Sequence, residues 1–193
     1  MVGLPKGSRI RPATGYVLEM VMNLFTPQRL ESGVFLDICA GSGLVGFEAI
    51  SRGAPACIFV EADRVTAHAI GETAERFEVE KRCHILNRDA RRCVAKVNEA
   101  LVLHSQGGWP ARVSCVFMDP PFISGMARDL LDRFGRSLAS VEAENLLTDD
   151  ALIIIRTPDR LPAEFVGLEF VSERLAGSAR VWQYRHGVSH GHN

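Results

Sequence analysis

Val34-Phe35-Leu36-Asp37-Ile38-Cys39-Ala40-Gly41-Ser42-Gly43-Leu44-Val45-Gly46-Phe47-Glu48 is the stretch on which the fold turns. An apolar run ends in an acid, passes through small residues and glycines, and resumes with helical spacing. Physically this is a buried strand, a tight turn and a helix N-terminus. Glycines let the backbone come close to a ligand, because no Cβ stands in the way. The helix start offers unpaired N–H groups and the positive end of a dipole. A polar, nucleotide-like ligand is expected there.

Working outward, strands and helices alternate. Before the opening strand, Thr14 caps a helix running to about residue 26, where Pro27 stops it. After it, a helix carries Leu44, Phe47 and Ile50 inward and closes at Gly53. Residues 56–60 form a second strand ending at Glu61, followed by a helix over about 63–77. Residues 83–86 form a third, ending near Asn87-Arg88-Asp89-Ala90, and a helix then runs to about 104 with Val94, Val97 and Leu101 on one face. A glycine-containing loop over 105–112 leads to a fourth strand, 113–118, which ends at Asp119-Pro120-Pro121-Phe122. A helical stretch over about 125–147 has a break near Gly135, and residues 151–155 are a fifth strand. Residues 168–175 and 180–185 pair around Ala176-Gly177-Ser178. The pattern predicts an α/β doubly wound sheet, mostly parallel, with an antiparallel hairpin at the end.

The 193 residues suit one domain over 14–186, with a short basic arm at 1–13 and a polar tail at 187–193. With 47% apolar and 23% charged residues the chain is of globular type. No apolar run reaches the roughly 18–20 residues that span a bilayer, so no membrane partner is expected. The beginning of the chain lacks the layout of a signal peptide. Five cysteines, with no C-x-x-C pair, argue against a disulfide framework and a zinc site. Cys39, Cys57, Cys83 and Cys115 lie in or beside apolar runs, as small core residues do. His190 and His192 have no companion ligands, so no metal is expected. A reducing cytoplasm fits best, and a monomer is the default. The net charge of −1 gives no global field for nucleic acid, so any such binding needs a local patch.

In doubly wound sheets, ligands bind beyond the carboxyl ends of the strands. Four successive strands here end in acidic or polar residues: Asp37 through Gly43, Glu61, Asp89, and Asp119 through Phe122. Gly41-x-Gly43-x-x-Gly46 matches the dinucleotide fingerprint, with Glu61 near the ribose-binding position. The same geometry serves NAD, FAD or S-adenosylmethionine. Asp37 favours the last, because an acid there repels a pyrophosphate but suits a cationic amino group, directly or through water. Glu61 then takes the ribose hydroxyls, Asp89 the adenine amino group, and the Ala90 N–H lies near a ring nitrogen. The cofactor set is Asp37, Ala40, Gly41, Ser42, Gly43, Glu61, Ala62, Asp89 and Ala90. Helix capping is the alternative for Asp37 and Asp89.

Asp119-Pro120-Pro121-Phe122 decides the chemistry. Two prolines hold the backbone stiff and extended. They donate no hydrogen bonds, so their carbonyls are free to accept. The Asp119 side chain and a proline carbonyl can both accept from an exocyclic amino group on a nucleobase. That aims the nitrogen lone pair at a methyl donor, with Phe122 stacked on the base.

These residues resemble a known family. Phe35 to Ala54 resembles the core block of the RsmD family of bacterial small-subunit ribosomal RNA guanine-N2 methyltransferases, whose pattern is L-D-x-F-A-G-S-G-x-L-G-x-E-A-x-S-R-G-A. Phe59 to Asp63 resembles its second-strand end, Phe117 to Phe122 its catalytic loop, Arg11-Pro12 its R-P-T start, and Ala176-Gly177 its closing hairpin. The chain departs from the family in having only about ten residues before Arg11, and in carrying Gly15, Tyr16 and Leu18 where the family has an acid and two arginines, though Glu19 is kept. The resemblance implies a Rossmann-like class I methyltransferase with a mostly parallel seven-stranded sheet. S-adenosylmethionine is its cofactor and ribosomal RNA or the small ribosomal subunit its partner. Asp119, Pro120, Pro121 and Phe122 are its catalytic loop. Lys6, Arg9, Arg11 and Arg52 are the candidates for RNA contact. An adenine-N6 methyltransferase, a dinucleotide-dependent oxidoreductase and a non-catalytic ribosome-assembly factor are the rival readings. Phe122 in place of Tyr leans away from the first, and Asp37 with the Asp119 loop speaks against the second.

Overall fold

A computed structural model describes residues 15–138, 145–161 and 164–187. Lys6, Arg9, Arg11, Thr14, His190 and His192 lie outside the described residues. Helix α1 (Gly15–Met22) turns Val17, Val21 and Met22 inward. Pro27 does more than end a helix. It opens a second one, α2 (Pro27–Glu31), whose N-cap Thr26 accepts from the Arg29 N–H at 3.3 Å. Proline suits that position because its missing N–H would have no helical partner.

Then follow β1 (Val34–Ile38), α3 (Leu44–Ser51), β2 (Cys57–Glu61), α4 (Arg64–Arg76) and β3 (Cys83–Asn87). Next come α5 (Val94–Ser105), β4 (Val113–Met118), α6 (Met126–Leu138) and β5 (Leu147–Thr157). The chain closes with β6 (Glu164–Phe165), β7 (Leu168–Ala176) and β8 (Ala179–His186). They build one sheet of order β3-β2-β1-β4-β5-β8-β7-β6. The first five strands are mutually parallel, and β8, β7 and β6 are antiparallel to their neighbours. The sheet has eight strands rather than the expected seven. The extra one is the two-residue β6, which folds back onto β7 over Gly167, at φ +71°. The hairpin itself turns at Gly177, φ +63°, between Ala176 and Ala179, a conformation that tight hairpins require.

Helix α6 runs unbroken through Gly135, where a break was expected. The glycine is there for packing, since an added Cβ would run into the Val166 carbonyl. Strand residues alternate between two cores. Val34, Leu36, Ile38, Val116 and Ile153 face Val97, Leu101, Leu130 and Phe134 of α5 and α6. Phe35, Cys57, Phe59, Phe117 and Ile154 face Val21, Phe25, Phe47, Ile50 and Ile70 on the other side. All five residues of β1 are buried, as a central parallel strand covered on both faces must be. Period-two alternation therefore puts Asp37 on the same face as Phe35, beneath α3. All five cysteines are free thiols.

Helix α3 lies very close to β2 because Gly46 has no side chain. A Cβ there would stand 2.7 Å from Cys57 Sγ and overlap the Phe59 ring. Gly46→Ala is expected to destabilise the fold by about 1–3 kcal/mol through overpacking, seen as a lower urea midpoint at unchanged m-value. Gly71→Ala, in α4, whose methyl would meet open space, is expected to gain about 0.5–1 kcal/mol of helix propensity.

Candidate active site

The strand order reverses between β1 and β4. The chain leaves β1 toward α3 on one face of the sheet, and leaves β4 toward α6 on the other. A crevice opens between the two connections, at the carboxyl ends of the strands. The turn after β1 and the loop after β4 meet there, and the Asp119 N–H donates to the Ile38 carbonyl at 3.2 Å.

The turn after β1 is held by acids. Cys39, Gly41 and Gly43 all have left-handed φ values of 61°, 55° and 74°. At Cys39 that conformation is uncommon for a residue with a side chain, and it marks local strain at the strand end. The Gly43 N–H closes the turn onto the Ala40 carbonyl at 2.8 Å, and Ala40 N–H ties it to the Val60 carbonyl at 3.0 Å. Glu61, at the end of β2, accepts from the Gly41 N–H at 2.8 Å with one oxygen and from the Asp63 N–H at 2.9 Å with the other. Asp37, 1% exposed, accepts from the Gly46 N–H at 3.0 Å in the first turn of α3. The capping alternative thus describes what Asp37 does inside the protein. Ser42 sits half-buried between the two glycines.

Burial drives the Asp37 carboxyl well above the usual carboxylate range. The Gly46 N–H opposes this, and the negative charges of Asp119 and Glu61 add to it. Burial and the Glu61 charge likewise push the Cys39 thiol up. Asp37, Glu61 and Asp119 therefore converge on one crevice. The salt bridge there among the described residues is that of Asp119 with Arg156. A crevice with this surplus of negative charge fits a ligand that carries positive charge, and disfavours a pyrophosphate.

The loop after β4 is built as a short rigid span. Pro120 is buried, while Pro121 and Phe122 are exposed. The expectation that both proline carbonyls are free is corrected in part. The Pro121 carbonyl accepts from the Ile123 N–H at 2.7 Å, closing the turn, whereas the Pro120 carbonyl accepts no backbone hydrogen bond among the described residues. Burial raises the Asp119 carboxyl above its usual range, and the Arg156 guanidinium, by hydrogen bond and charge, pulls it back. Arg156 Nε donates to Asp119 Oδ1 at 2.9 Å. Its Cζ also stands 5.1 Å from the centre of the Phe122 ring. The sequence reading missed Arg156, because it ended the fifth strand at Ile155. The available signal was a charge directly after Ile153-Ile154-Ile155.

Other expected residues lie around this centre or away from it. Asp89 caps the 3-10 turn Ala90–Arg92 and accepts from the Arg91 N–H at 2.9 Å and from Arg91 Nε at 3.0 Å. Arg91 holds its carboxyl down at about 2. Capping therefore describes Asp89 as well, and Ala90 begins the same turn. The Ala62 carbonyl accepts from the Asn87 side chain at 2.9 Å, which joins the ends of β2 and β3. Arg52 is not at the site. It ends α3 at the opposite edge of the sheet, bonded to Glu48 at 2.8 Å and Asn23 at 3.1 Å. The parallel crossover forces this, because the helix returns the chain to the amino ends of the strands. Arg82, just before β3, reaches the Ile50 and Ala54 carbonyls at the same end. A cavity of about 520 Å³ lies beside the loop, between α6 and β6, lined by Gly125, Arg128, Asp129, Asp132, Glu164 and Phe165.

The sequence profile of the family described as Conserved hypothetical protein 95 matches residues 2–185. The ribosomal RNA small subunit methyltransferase D of Escherichia coli strain K12 is 26% identical over 184 residues, covering 94% of this chain and 82% of that one. Among solved structures, a conserved hypothetical protein of Streptococcus pyogenes superposes with a TM-score of 0.68 at 27% identity, covering 92% of this chain and 99% of that one. An RNA methyltransferase of Salinibacter ruber, solved in complex with S-adenosyl-L-homocysteine, shares the fold at a TM-score of 0.58 and 14% identity, covering 91% and 94% of the two chains.

The Asp37 geometry carries a stability prediction. Its raised native pKa means that the folded state binds its proton more tightly than the unfolded chain. Its contribution to stability is thus largest at low pH and declines as pH rises above the ordinary carboxylate value of about 4. Asp37→Asn keeps an acceptor for Gly46 and removes the charge. Without ligand it is expected to be more stable than the parent at pH 7–8, and this advantage shrinks toward pH 4–5 in urea titrations.

Proposed function

We propose, since the chain belongs to the family described as Conserved hypothetical protein 95, the RsmD family, that it is an S-adenosylmethionine-dependent methyltransferase acting on the exocyclic N2 of a guanine in small-subunit ribosomal RNA. The observation that carries the reading is the meeting of the glycine turn with Asp119 and the Pro120 carbonyl at the switch point of the sheet. The related Escherichia coli protein bears the name of a small-subunit ribosomal RNA methyltransferase. The cytoplasm, where ribosomal RNA is found, is the corresponding place of work.

When bound, S-adenosylmethionine supplies an electrophilic methyl group on a positively charged sulfur. The chain's contribution is binding, orientation and charge. The glycine turn, with Ala40, Ser42 and Ala62 around it, provides a close backbone approach. Glu61 keeps acceptor capacity for ribose hydroxyls beyond its two backbone N–H groups. Asp37 acts mainly through the turn of α3 that it holds, since it is closed off from the surface, and a cation bound nearby would favour its ionised form. Asp89 is half-exposed beside Ala90 with both oxygens held by Arg91, so contact with the adenine amino group would have to use the lone pairs that Arg91 leaves over. Asp119 and the Pro120 carbonyl accept the amine's N–H bonds, and the nitrogen lone pair is left pointing out of that plane. The proton released from nitrogen can pass to Asp119 or to water. Most of the rate then comes from positioning and electrostatics.

The carboxylate supports guanine over adenine. Guanine presents N1–H and N2–H side by side, two donors for an acceptor-only group. Adenine presents its amino group beside the N1 lone pair, which would face a carboxylate oxygen unfavourably. A base in a duplex must leave the stack to reach the site, and the exposed Phe122 ring offers it a stacking face.

The phosphates then cross the same edge. Arg64, Arg88, Arg92, Arg128 and Arg160 follow the carboxyl ends of β2 to β5, all exposed and with no salt-bridge partner among the described residues. At the opposite edge Arg29, Arg52 and Arg112 are each paired with an acid. This asymmetry favours the site edge for RNA and removes Arg52 from the set.

Methyl transfer from labelled S-adenosylmethionine to unmethylated small ribosomal subunits, with nucleoside analysis, tests the reading. N2-methylguanosine is expected, and Asp119→Ala should lower turnover at least a hundredfold while cofactor affinity stays nearly unchanged. Label in N6-methyladenine, or RNA binding without any transfer, would replace it by one of the rival readings. In a separate measurement, Arg128→Ala and Arg160→Ala should each weaken RNA binding and reduce the salt slope by about 0.7–1, while Arg52→Ala should leave both where they were.

A further inference from the structure

We propose that Arg156 is a positioning residue that locks the Asp119-Pro120-Pro121-Phe122 loop into its reactive shape by gripping both ends of it with one guanidinium group. The proposal rests on the methyltransferase reading above and goes beyond it by assigning a role to a strand β5 residue.

Three observations carry it. Strands β4 and β5 are parallel with Met118 opposite Ile155, so Asp119, the first residue past β4, lies beside Arg156, which is still held in the sheet by its pairing with Val181 of β8. The guanidinium edge bonds Asp119 at 2.9 Å, while its carbon stands 5.1 Å from the Phe122 ring centre. The Arg156 side chain is 14% exposed and that of Asp119 23%, so the pair is largely shielded from solvent.

The chemistry of arginine suits this double contact. A planar guanidinium donates in its plane and stacks on its face at the same time, which an ammonium cannot do. The two prolines restrict φ in the middle of the loop. What stays free is the side-chain torsions of the two end residues, Asp119 and Phe122, and Arg156 restrains both. The acceptor for the amine and the stacking face for the base are thereby set relative to each other before substrate arrives. Arg156 also answers the surrounding negative charge. Asp119 faces Arg156 from β5, Asp37 from β1 and Cys39 from the turn after β1. Arg156 is the cation that favours an ionised Asp119 inside this group.

The test compares Arg156→Ala and Arg156→Lys with the parent in three readouts. They are kcat and KM for RNA and cofactor, the pH dependence of kcat, and the 13C titration of the Asp119 carboxyl in the protein alone. The Asp119 signal is assigned by its loss in Asp119→Asn. The ionised carboxylate is the working form, so activity falls as pH drops through its pKa. Removing the neighbouring cation should raise that pKa, moving the acid limb and the titration up by about 1–3 pH units. In Arg156→Ala, kcat should also fall by about ten- to a hundredfold, with the cofactor KM unchanged. Arg156→Lys should return the titration close to that of the parent but leave kcat low, because charge is restored and the edge-and-face grip is not. An unmoved Asp119 titration in Arg156→Ala, full recovery of kcat by lysine, or a parallel loss of cofactor binding in both variants would each overturn the proposal. The titration uses neither RNA nor turnover. A parent enzyme that methylates another base, or none, would therefore defeat the guanine reading while the Arg156 assignment is still judged on Asp119.

Discussion

The structure depends on how closely α3 approaches β2, and that approach depends on Gly46. With no side chain in the way, the first turn of the helix rests on Cys57 and Phe59. This brings the Gly46 N–H to the buried carboxylate of Asp37. A carboxylate so deeply buried is costly unless it is hydrogen-bonded, and here the bond comes from a helix N-terminus, where a spare N–H and a favourable dipole coincide. The same approach sets the height of the turn between β1 and α3. From there Gly41 reaches Glu61 on the neighbouring strand. One missing methyl group thus fixes the position of two acids and of the backbone between them.

The second organising feature is the distribution of charge between the two edges of the sheet. At the amino edge, arginines are consumed by the fold. Arg29 and Arg112 pair with Asp150 and Asp149 at the start of β5, and Arg82 binds backbone carbonyls between α3 and β2. At the carboxyl edge, several arginines have no such partner among the described residues, while acids there are taken up by backbone N–H groups. Asp37, Glu61 and Asp63 all accept from the main chain of the segments they border. Negative charge is therefore concentrated in the crevice and positive charge on its rim. That arrangement suits a small cationic ligand inside and a polyanion outside. A net charge of −1 conceals it completely.

The fold was legible because its signals are local. Apolar runs of strand length, separated by helical periodicities and bounded by Gly, Pro and Asp, indicate strand and helix order residue by residue. The reading placed β1 to β4 within a residue or two of their ends. It failed where a residue's meaning came from a distant neighbour. Gly135 resembles a helix breaker until Val166 is seen packed against it. Pro27 resembles a helix stop until the chain after it is seen to begin another helix. Strand β6 has only two residues, and nothing but its pairing with β7 makes it a strand.

The site divides in the same way. The sequence by itself determined that Asp37, Glu61, Asp89 and Asp119 stand at the ends of successive parallel strands, because strand direction and right-handed crossovers send every such end to one edge. It determined the stiffness of the loop after β4, which follows from proline chemistry alone. Only the tertiary structure decided which partners those acids take. Asp37 and Asp89 act as caps, Arg52 lies at the far edge, and Arg156 joins Asp119 to Phe122. The physical reason is range. Turn and strand propensities act over a few residues, whereas the partner of a side chain is set by the register of strands 37 positions apart, which local sequence does not encode.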